Sequence, residues 1–318
     1  MSAPATVAVE VRRYAPADAA AWDALVDRSR APHVLFRRGY LEYHADRFAD
    51  HSLLVLVDGV LRAALPAERS GDVVTSHGGL TFGGLITDAT ASATRVHAWL
   101  TAIADALRAD GVSRLVYKPV PHIYHRVPAE EDLHALWLVG ARLVRRELST
   151  TIHVADRPAY AKGRRASVRR ARALHVAEDP DLRGFWALEE AALRERHGVA
   201  PVHTADEIEL LARRFPDAIR LHTAREAPGA PVLGGVVVYA TPTVAHTQYI
   251  AASAEGRERG AVDAIVDRLL TETHAAVPWF DFGISTEDAG RTLNAGLVRN
   301  KESYGGSATT HDRYELDL

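Results

Sequence analysis

The sequence predicts an α/β protein of the α+β type, built as two tandem domains that each carry a mixed, largely antiparallel sheet flanked by helices. Three observations predict it. The same layout recurs about 165 residues further along the chain. Each copy runs in the order helices, antiparallel strands, helix, strand, helix, strand, which is not the order of a Rossmann fold. The 318 residues are enough for two domains with a core apiece. The recurrence is read from four matches. LLVLVDGVLRAALPAER from Leu53 pairs with IRLHTAREAPGAPVLGGVVVY from Ile219, and a helical face at Val96 with one at Val262. RLVYKPV around Tyr117 pairs with WFDFGIS around Phe282, and Gly140 and Gly305 each precede a long terminal strand. A period this long is no solenoid but a pair of similar domains, with a cleft between them where ligands gather. Their expected limits are 1–155 and 156–318.

Taken in order, Val7 to Tyr14 reads as a strand and Asp18 to Arg28 as a helix with Ala19, Trp22, Leu25 and Val26 at helical spacing. Gly39 to Phe48 reads as a second, short helix. Leu53 to Val57 and Leu61 to Pro66 flank Asp58-Gly59, a favoured two-residue hairpin turn. Ser76 to Gly84 is a glycine-rich turn. Val96, Trp99, Leu100, Ile103 and Leu107 mark one helix face that Gly111 stops. Arg114 to Val120 and Ala141 to Val154 are strands. In the second copy, Lys162 to Leu174, Leu182 to His197 and Ala205 to Phe215 are helices. Ile219 to Arg225, Val232 to Tyr239 and Ala245 to Ala252 are consecutive antiparallel strands. The face Val262, Ile265, Val266, Leu269, Leu270 follows, then strands at Trp279 to Ile284 and Ser307 to Leu318.

Composition excludes several classes. The chain is 47% apolar and 25% charged, like an ordinary soluble protein, and a net charge of −3 announces no global attraction to nucleic acid. With no cysteine there is no disulfide, thiolate metal site or cysteine nucleophile. The start lacks the apolar core of a secretion signal, and no window reaches the roughly 18 apolar residues of a membrane span. The expectation is a cytoplasmic protein with no membrane or DNA partner and no tightly bound cofactor or metal. His122 and His125 have no evident third ligand.

Five segments carry candidate chemistry. In EGRERGAVDAIVDRLL, a polar loop opens a helix at Gly260. The first turn of a helix has unpaired N–H groups and the positive end of the dipole. Arg257, Arg259, Gly260 and Ala261 are therefore candidate contacts for a phosphorylated donor; an ordinary capping loop is the plain alternative. In FDFGISTEDAGRTLNAGLVRNKESYGG, Asp281 lies between two aromatics on a strand and points away from them. It is the candidate proton acceptor, Lys301 the candidate oxyanion stabiliser and Ser285 a candidate substrate contact. A helix-capping carboxylate and an exposed lysine are the plain alternative. His44 and Arg47 on one helix face, with His77 on the glycine turn, are candidate acceptor contacts or simply packing. Lys118 and Tyr124 in KPVPHIYHR, and Gln248 in HTQYIAAS, complete the candidate substrate contacts. Finally, KGRRASVRRAR has six positive charges and no acid, a solvated face or a landing patch for donor phosphates, RNA included.

The two-copy layout, with RRASVRRARAL, RFPDAIRLHTA, HTQYIAAS, FDFGIS and GLVRNKESYGG, resembles the GNAT acyltransferase superfamily. The nearest branch is its double-domain FemAB-like group, with the bacterial acetyltransferases related to cellulose biosynthesis. The resemblance covers most of the chain and is strongest from about Tyr160 onward. It implies two GNAT-like domains, the first on the acceptor side with a degenerate donor site and the second on the donor side. It implies transfer of an acyl group from acyl-CoA, or of an aminoacyl group from tRNA, to a small-molecule amine. The family's pyrophosphate loop, R/Q-x-x-G-x-G/A, is matched at Arg257 and Gly260 but has Val262 at its last position. Lys301, Tyr304, Gly305 and Gly306 match the K-x-x-F/Y-G-G stretch that lies near the reaction centre in the Fem branch. A non-catalytic ligand-binding protein on the same fold is the rival of a different class.

Overall fold

The computed structural model describes residues 9–318, so Val7 and Ala8 of the first expected strand lie outside the described residues. The chain divides into two compact units. The first is residues 1–147 with 289–291 and 310–318; the second is 148–288 with 292–309.

In the first unit, β1 (Val9–Arg13) is followed by α1 (Ala19–Arg28), a short α2 (Arg38–Leu41) and the hairpin β2 (Leu53–Val57) and β3 (Val60–Leu65). Asp58 and Gly59 turn that hairpin with φ of 50° and 75°, the positive values a two-residue turn needs. Then come β4 (Glu68–Ser70), β5 (Val73–Thr75), β6 (Ile86–Thr87), α3 (Ala93–Ala109), β7 (Arg114–Tyr117), α4 (Glu131–Leu138) and β8 (Arg142–His153), along which the chain enters the second unit. One sheet runs β1-β2-β3-β6. Another set of strands runs β4-β5-β7, and the last strand, β16 (Ser307–Asp317), pairs antiparallel with β7, Tyr314 opposite Tyr117. The apolar face of α3 (Val96, Trp99, Leu100, Ile103, Leu107) packs on Leu53, Val55, Leu65, Val74 and Leu115. Arg38 to Leu41 is a shorter helix than the expected Gly39 to Phe48, which continues as turns.

In the second unit, α5 (Lys162–Ala171), β9 (His175–Glu178), α6 (Leu182–His197) and α7 (Ala205–Arg214) lead to β10 (Ile219–Arg225), β11 (Val232–Ala240) and β12 (Val244–Ala252). Next are α8 (Ala254–Arg259), α9 (Ala261–Arg268), β13 (Trp279–Ile284), a small pair β14 (Thr286–Glu287) and β15 (Thr292–Leu293), and α10 (Ala295–Glu302). The sheet order is β8-β13-β12-β11-β10-β9. Every pairing among β9 to β12 is antiparallel, whereas β12 and β13 are parallel, joined over the sheet by α9. The first unit has the same device: β5 and β7 are parallel and α3 crosses between them. Ile265, Val266, Leu269 and Leu270 press one face of the second sheet, meeting Val236, Val238, Ala245, Phe280 and Phe282. Gly140 and Gly305 both hold positive φ, 83° and 91°, where a helix reverses into its terminal strand.

Candidate active site

Phe280 and Phe282 point into the core under α9, so strand alternation sends Asp281 to the opposite face. There it stands beside His246 of β12, its partner in register. Asp281 is wholly buried at 0% exposure. One oxygen accepts from Ser149 Oγ at 2.5 Å and from the Gly283 N–H at 2.9 Å; the other accepts from His246 Nδ1 at 2.9 Å. Gly283 can fold back this way because its φ is 75°, a region that favours glycine. The expectation that Asp281 faces a ligand and takes a proton is corrected here: its oxygens are committed to protein donors and none of its surface is open. The group it serves is His246, the first residue of HTQYIAAS, the segment from which sequence reasoning took Gln248 instead. The carboxylate holds the Nδ1–H tautomer, which leaves the Nε2 lone pair as the acceptor.

Beyond His246 and Asp281 the two parallel strands stop pairing, although β12 runs on to Ala252 and β13 to Ile284. Gln248 is the extra residue of a bulge at this point, because Val237 opposes Tyr249 while Val238 opposes Thr247. Such a fork offers unpaired strand edges to a ligand. Lys301, on α10, closes its β13 side by donating to the carbonyls of Gly283 and Ile284, each at 2.8 Å. An ammonium has three protons, so one remains for a ligand. Burial pulls the Lys301 amine down to about 8, against the pull of nearby Asp281. Ser285, next in the chain, is 1% exposed and its Oγ has no partner among the described residues.

The N-terminus of α9 is not open. Gly260 ends α8 and starts α9 with φ of 76°, and both Gly260 and Ala261 are buried. A Cβ on Gly260 would lie 3.0 Å from Ser167 Oγ of α5 and 3.3 Å from Ala171 Cβ. Asp263, in the first turn of α9, accepts from Ser167 and from the Arg164 guanidinium at one end of the same α5, and from the Tyr304 hydroxyl at 2.5 Å. Arg164 also donates to Ser303 Oγ at 2.9 Å and lies 3.9 Å over the Tyr304 ring. The helix dipole is thus answered by the chain's own carboxylate. Arg257 donates to the Ala252 carbonyl at 3.0 Å, and Arg259 to Glu255 at 2.9 Å. The phosphate site expected at Arg257, Arg259, Gly260 and Ala261 is therefore filled from within, by a helix about 95 residues earlier in the chain. The outer face of α5 differs. Lys162, Arg165, Arg169 and Arg170, with Arg172 just beyond, are exposed, and no carboxylate pairs with them among the described residues.

In the first unit the corresponding fork is closed by the glycine-rich turn. The Ser76 N–H donates to Val116 O at 2.8 Å, the Lys118 N–H to Ser76 Oγ at 2.7 Å and the Gly83 N–H to Lys118 O at 2.9 Å. Gly83 has to be glycine, since a Cβ there would be 1.8 Å from Ser76 O. The turn does gather candidates. The His44 ring stacks on His77 with centroids 5.0 Å apart, and His77, buried with φ of 57°, is driven down to about 3 by burial. Lys118, whose Nζ donates to Leu80 O, falls to about 7, chiefly through burial, then through Arg313. Arg47 is exposed, 5.6 Å from the Tyr43 ring. Tyr124 stands apart, 2% exposed against Phe82 and His33. A cavity of about 270 Å³ beside His77 is lined by Tyr14, Arg38, Glu42, Phe48 and Asp50. Among the described residues no group of three or more His, Asp or Glu side chains converges as metal ligands do, and no helix is long and apolar enough to cross a membrane.

Residues 157–289 match the family model described as an acetyltransferase (GNAT) domain. No curated protein matches the chain by sequence. Among solved structures it is similar to FemX, with a TM-score of 0.70 at 12% identity over 97% of either chain. It is also similar to L-PGS from Bacillus licheniformis, with a TM-score of 0.63 at 12% identity over 95% of this chain and 92% of that one. A tandem GNAT protein from the clavulanic acid biosynthesis pathway gives 0.53 at 13% identity over 98% of each. Residues 157–289 thus carry the match to a GNAT acetyltransferase domain, and the chain as a whole shares the double-domain fold of FemX and of the tandem GNAT protein.

Proposed function

We propose that this protein is an N-acyltransferase that takes its acyl group as an aminoacyl ester from tRNA and passes it to the amine of a small molecule. The observation that carries the choice of donor is the seal on α9. Coenzyme A would need the N–H groups at Gly260 and Ala261 for its pyrophosphate, and Ser167, Arg164 and Asp263 stand there instead. Aminoacyl-tRNA needs no such socket. It needs exposed cations for its backbone, and the outer face of α5 supplies them. The reaction centre on this reading is the fork between β12 and β13. Gln248 and Ser285 contact the substrate, and the spare proton of Lys301 meets the oxyanion as the amine attacks the carbonyl. Holding both reactants there supplies much of the acceleration. In the first unit, the cavity beside His77, with His44 and Lys118 near it and Arg47 exposed, is a candidate binding place of its own, and Tyr124, buried against Phe82 and His33, has no part in it. The acyl-CoA reading is favoured by one observation, the acetyltransferase description of the matched domain.

The experiment offers the protein acetyl-CoA, palmitoyl-CoA and a mixture of charged tRNAs separately. Binding is read by thermal shift and by filter retention. A true donor raises the melting temperature. Retention of charged tRNA that ribonuclease and salt abolish, with no shift from either CoA ester, is the expected result. A saturable shift from acetyl-CoA overturns the choice of donor.

A further inference from the structure

Proton removal is the step that acyl transfer to an amine requires and that the fork's lysine cannot perform while charged. The structure offers one group shaped for it. The His246 imidazole is fixed by Asp281 at Nδ1, at 2.9 Å. Asp281 is in turn fixed by Ser149 Oγ at 2.5 Å and by the Gly283 N–H at 2.9 Å. The ring packs over Gly283, where a side chain would crowd it: its Cε1 lies 3.3 Å from where a Cβ on Gly283 would be. Its Nε2 makes no hydrogen bond among the described residues, yet it is not a buried orphan. The side chain keeps 12% of its surface open, while that of Asp281 keeps none. The dyad also sits at the last paired position of β12 and β13, where the fork begins.

We propose that His246 is the catalytic base of this site, with Asp281 as its positioning residue. This rests on the transferase reading given above. The amine nitrogen forms its bond to the acyl carbon and gives its proton to His246 Nε2. The carbon–oxygen bond to the ribose then breaks, and the imidazolium returns that proton to the departing oxygen. No oxidant, reductant or further reactant is needed. Asp281 stabilises the imidazolium and, by holding the proton on Nδ1, keeps Nε2 as the atom that takes up and returns the amine's proton.

The test has two arms on the full-length protein. In the first, ¹⁵N NMR reads the His246 tautomer and mass spectrometry follows carbethoxylation by diethyl pyrocarbonate. The expected result is the Nδ1–H tautomer and early modification at His246, with tautomer purity lost in Asp281→Asn. An Nε2–H tautomer, or an inert His246, overturns the proposal. In the second, transfer from charged tRNA to glycinamide is followed in wild type, His246→Gln and His246→Ala. The expected loss is about 10²–10⁴-fold in kcat with little change in KM, and free imidazole restores part of it in His246→Ala. Full turnover in His246→Gln, or no rescue by imidazole in a folded His246→Ala, overturns the assignment. His246→Gln leaves the Ser149 and Gly283 bonds to Asp281 in place, so it tests the base even where Asp281→Asn unfolds. A wild type that transfers nothing, while the first arm gives its expected result, sinks the donor reading and leaves the dyad standing.

Discussion

Arg164 of α5 and Asp263 of α9 form an ion pair at the start of α9, with side chains only 12% and 10% exposed. Removing one partner of a buried pair strands the other charge and costs about 3–5 kcal/mol. Arg164→Ala is therefore expected to destabilise the protein by that order, and the double variant Arg164→Ala/Asp263→Ala by clearly less than the sum of the singles. Urea unfolding in a double-mutant cycle measures this. Additive losses would mean that the two do not interact.

Gly260 is required by packing on this view, not by a phosphate. Its φ of 76° and a prospective Cβ approach of 3.0 Å to Ser167 Oγ both oppose a side chain. Gly260→Ala should lose more than about 1 kcal/mol, seen as a lower melting temperature without any ligand present. Adding Ser167→Ala should recover part of that loss, because the closest clash is removed.

Lys301 gives a pH signature. Its amine titrates near 8 in the fold, below its ordinary 10.5, because burial disfavours the charge. Below pH 8 both folded and unfolded chains hold the proton, and the fold bears the whole cost. From 8 to 10.5 the folded lysine sheds its proton first, so stability rises with pH through that window, by roughly 3 kcal/mol in all. Lys301→Met should lack this rise. Parallel pH dependences of unfolding in the two proteins would refute it. If Lys301 also meets the oxyanion, the same variant loses about 10²–10³-fold in kcat.

The exposed cations of α5 make a prediction about salt. Changing Arg165, Arg169 and Arg170 to Gln should make the log–log dependence of tRNA binding on salt shallower, by about 0.7–0.9 for each phosphate that is no longer neutralised. An unchanged slope would place the RNA elsewhere. Melting of the variant should hardly move, since these side chains are exposed and pair with no carboxylate among the described residues.

How far the sequence could be read depends on the range of the interactions involved. The face of Val262, Ile265, Val266 and Leu269 is local periodicity, and it predicted both α9 and the core it covers. The alternation around Asp281 was enough to turn it from Phe280 and Phe282. It could not say what stands on the far side. His246 is 35 residues away and meets Asp281 only through the register of two parallel strands, which no local pattern encodes. The seal on α9 was hidden for the same reason. RRASVRRAR read as a solvated basic face, and five of the cations on and beside it are exposed. Arg164 and Ser167 turn inward on the same helix, and only the packing of α5 on α9 reveals it.

The strand β16 has a consequence for biosynthesis. Its residues from Tyr314 to Asp317 complete the sheet of the unit that begins at the other end of the chain, through pairing with β7. A ribosome that has made everything up to Gly306 has therefore not yet supplied the strand that Leu115 and Val116 await. The first unit cannot complete its sheet until residues 314–317 have left the ribosome.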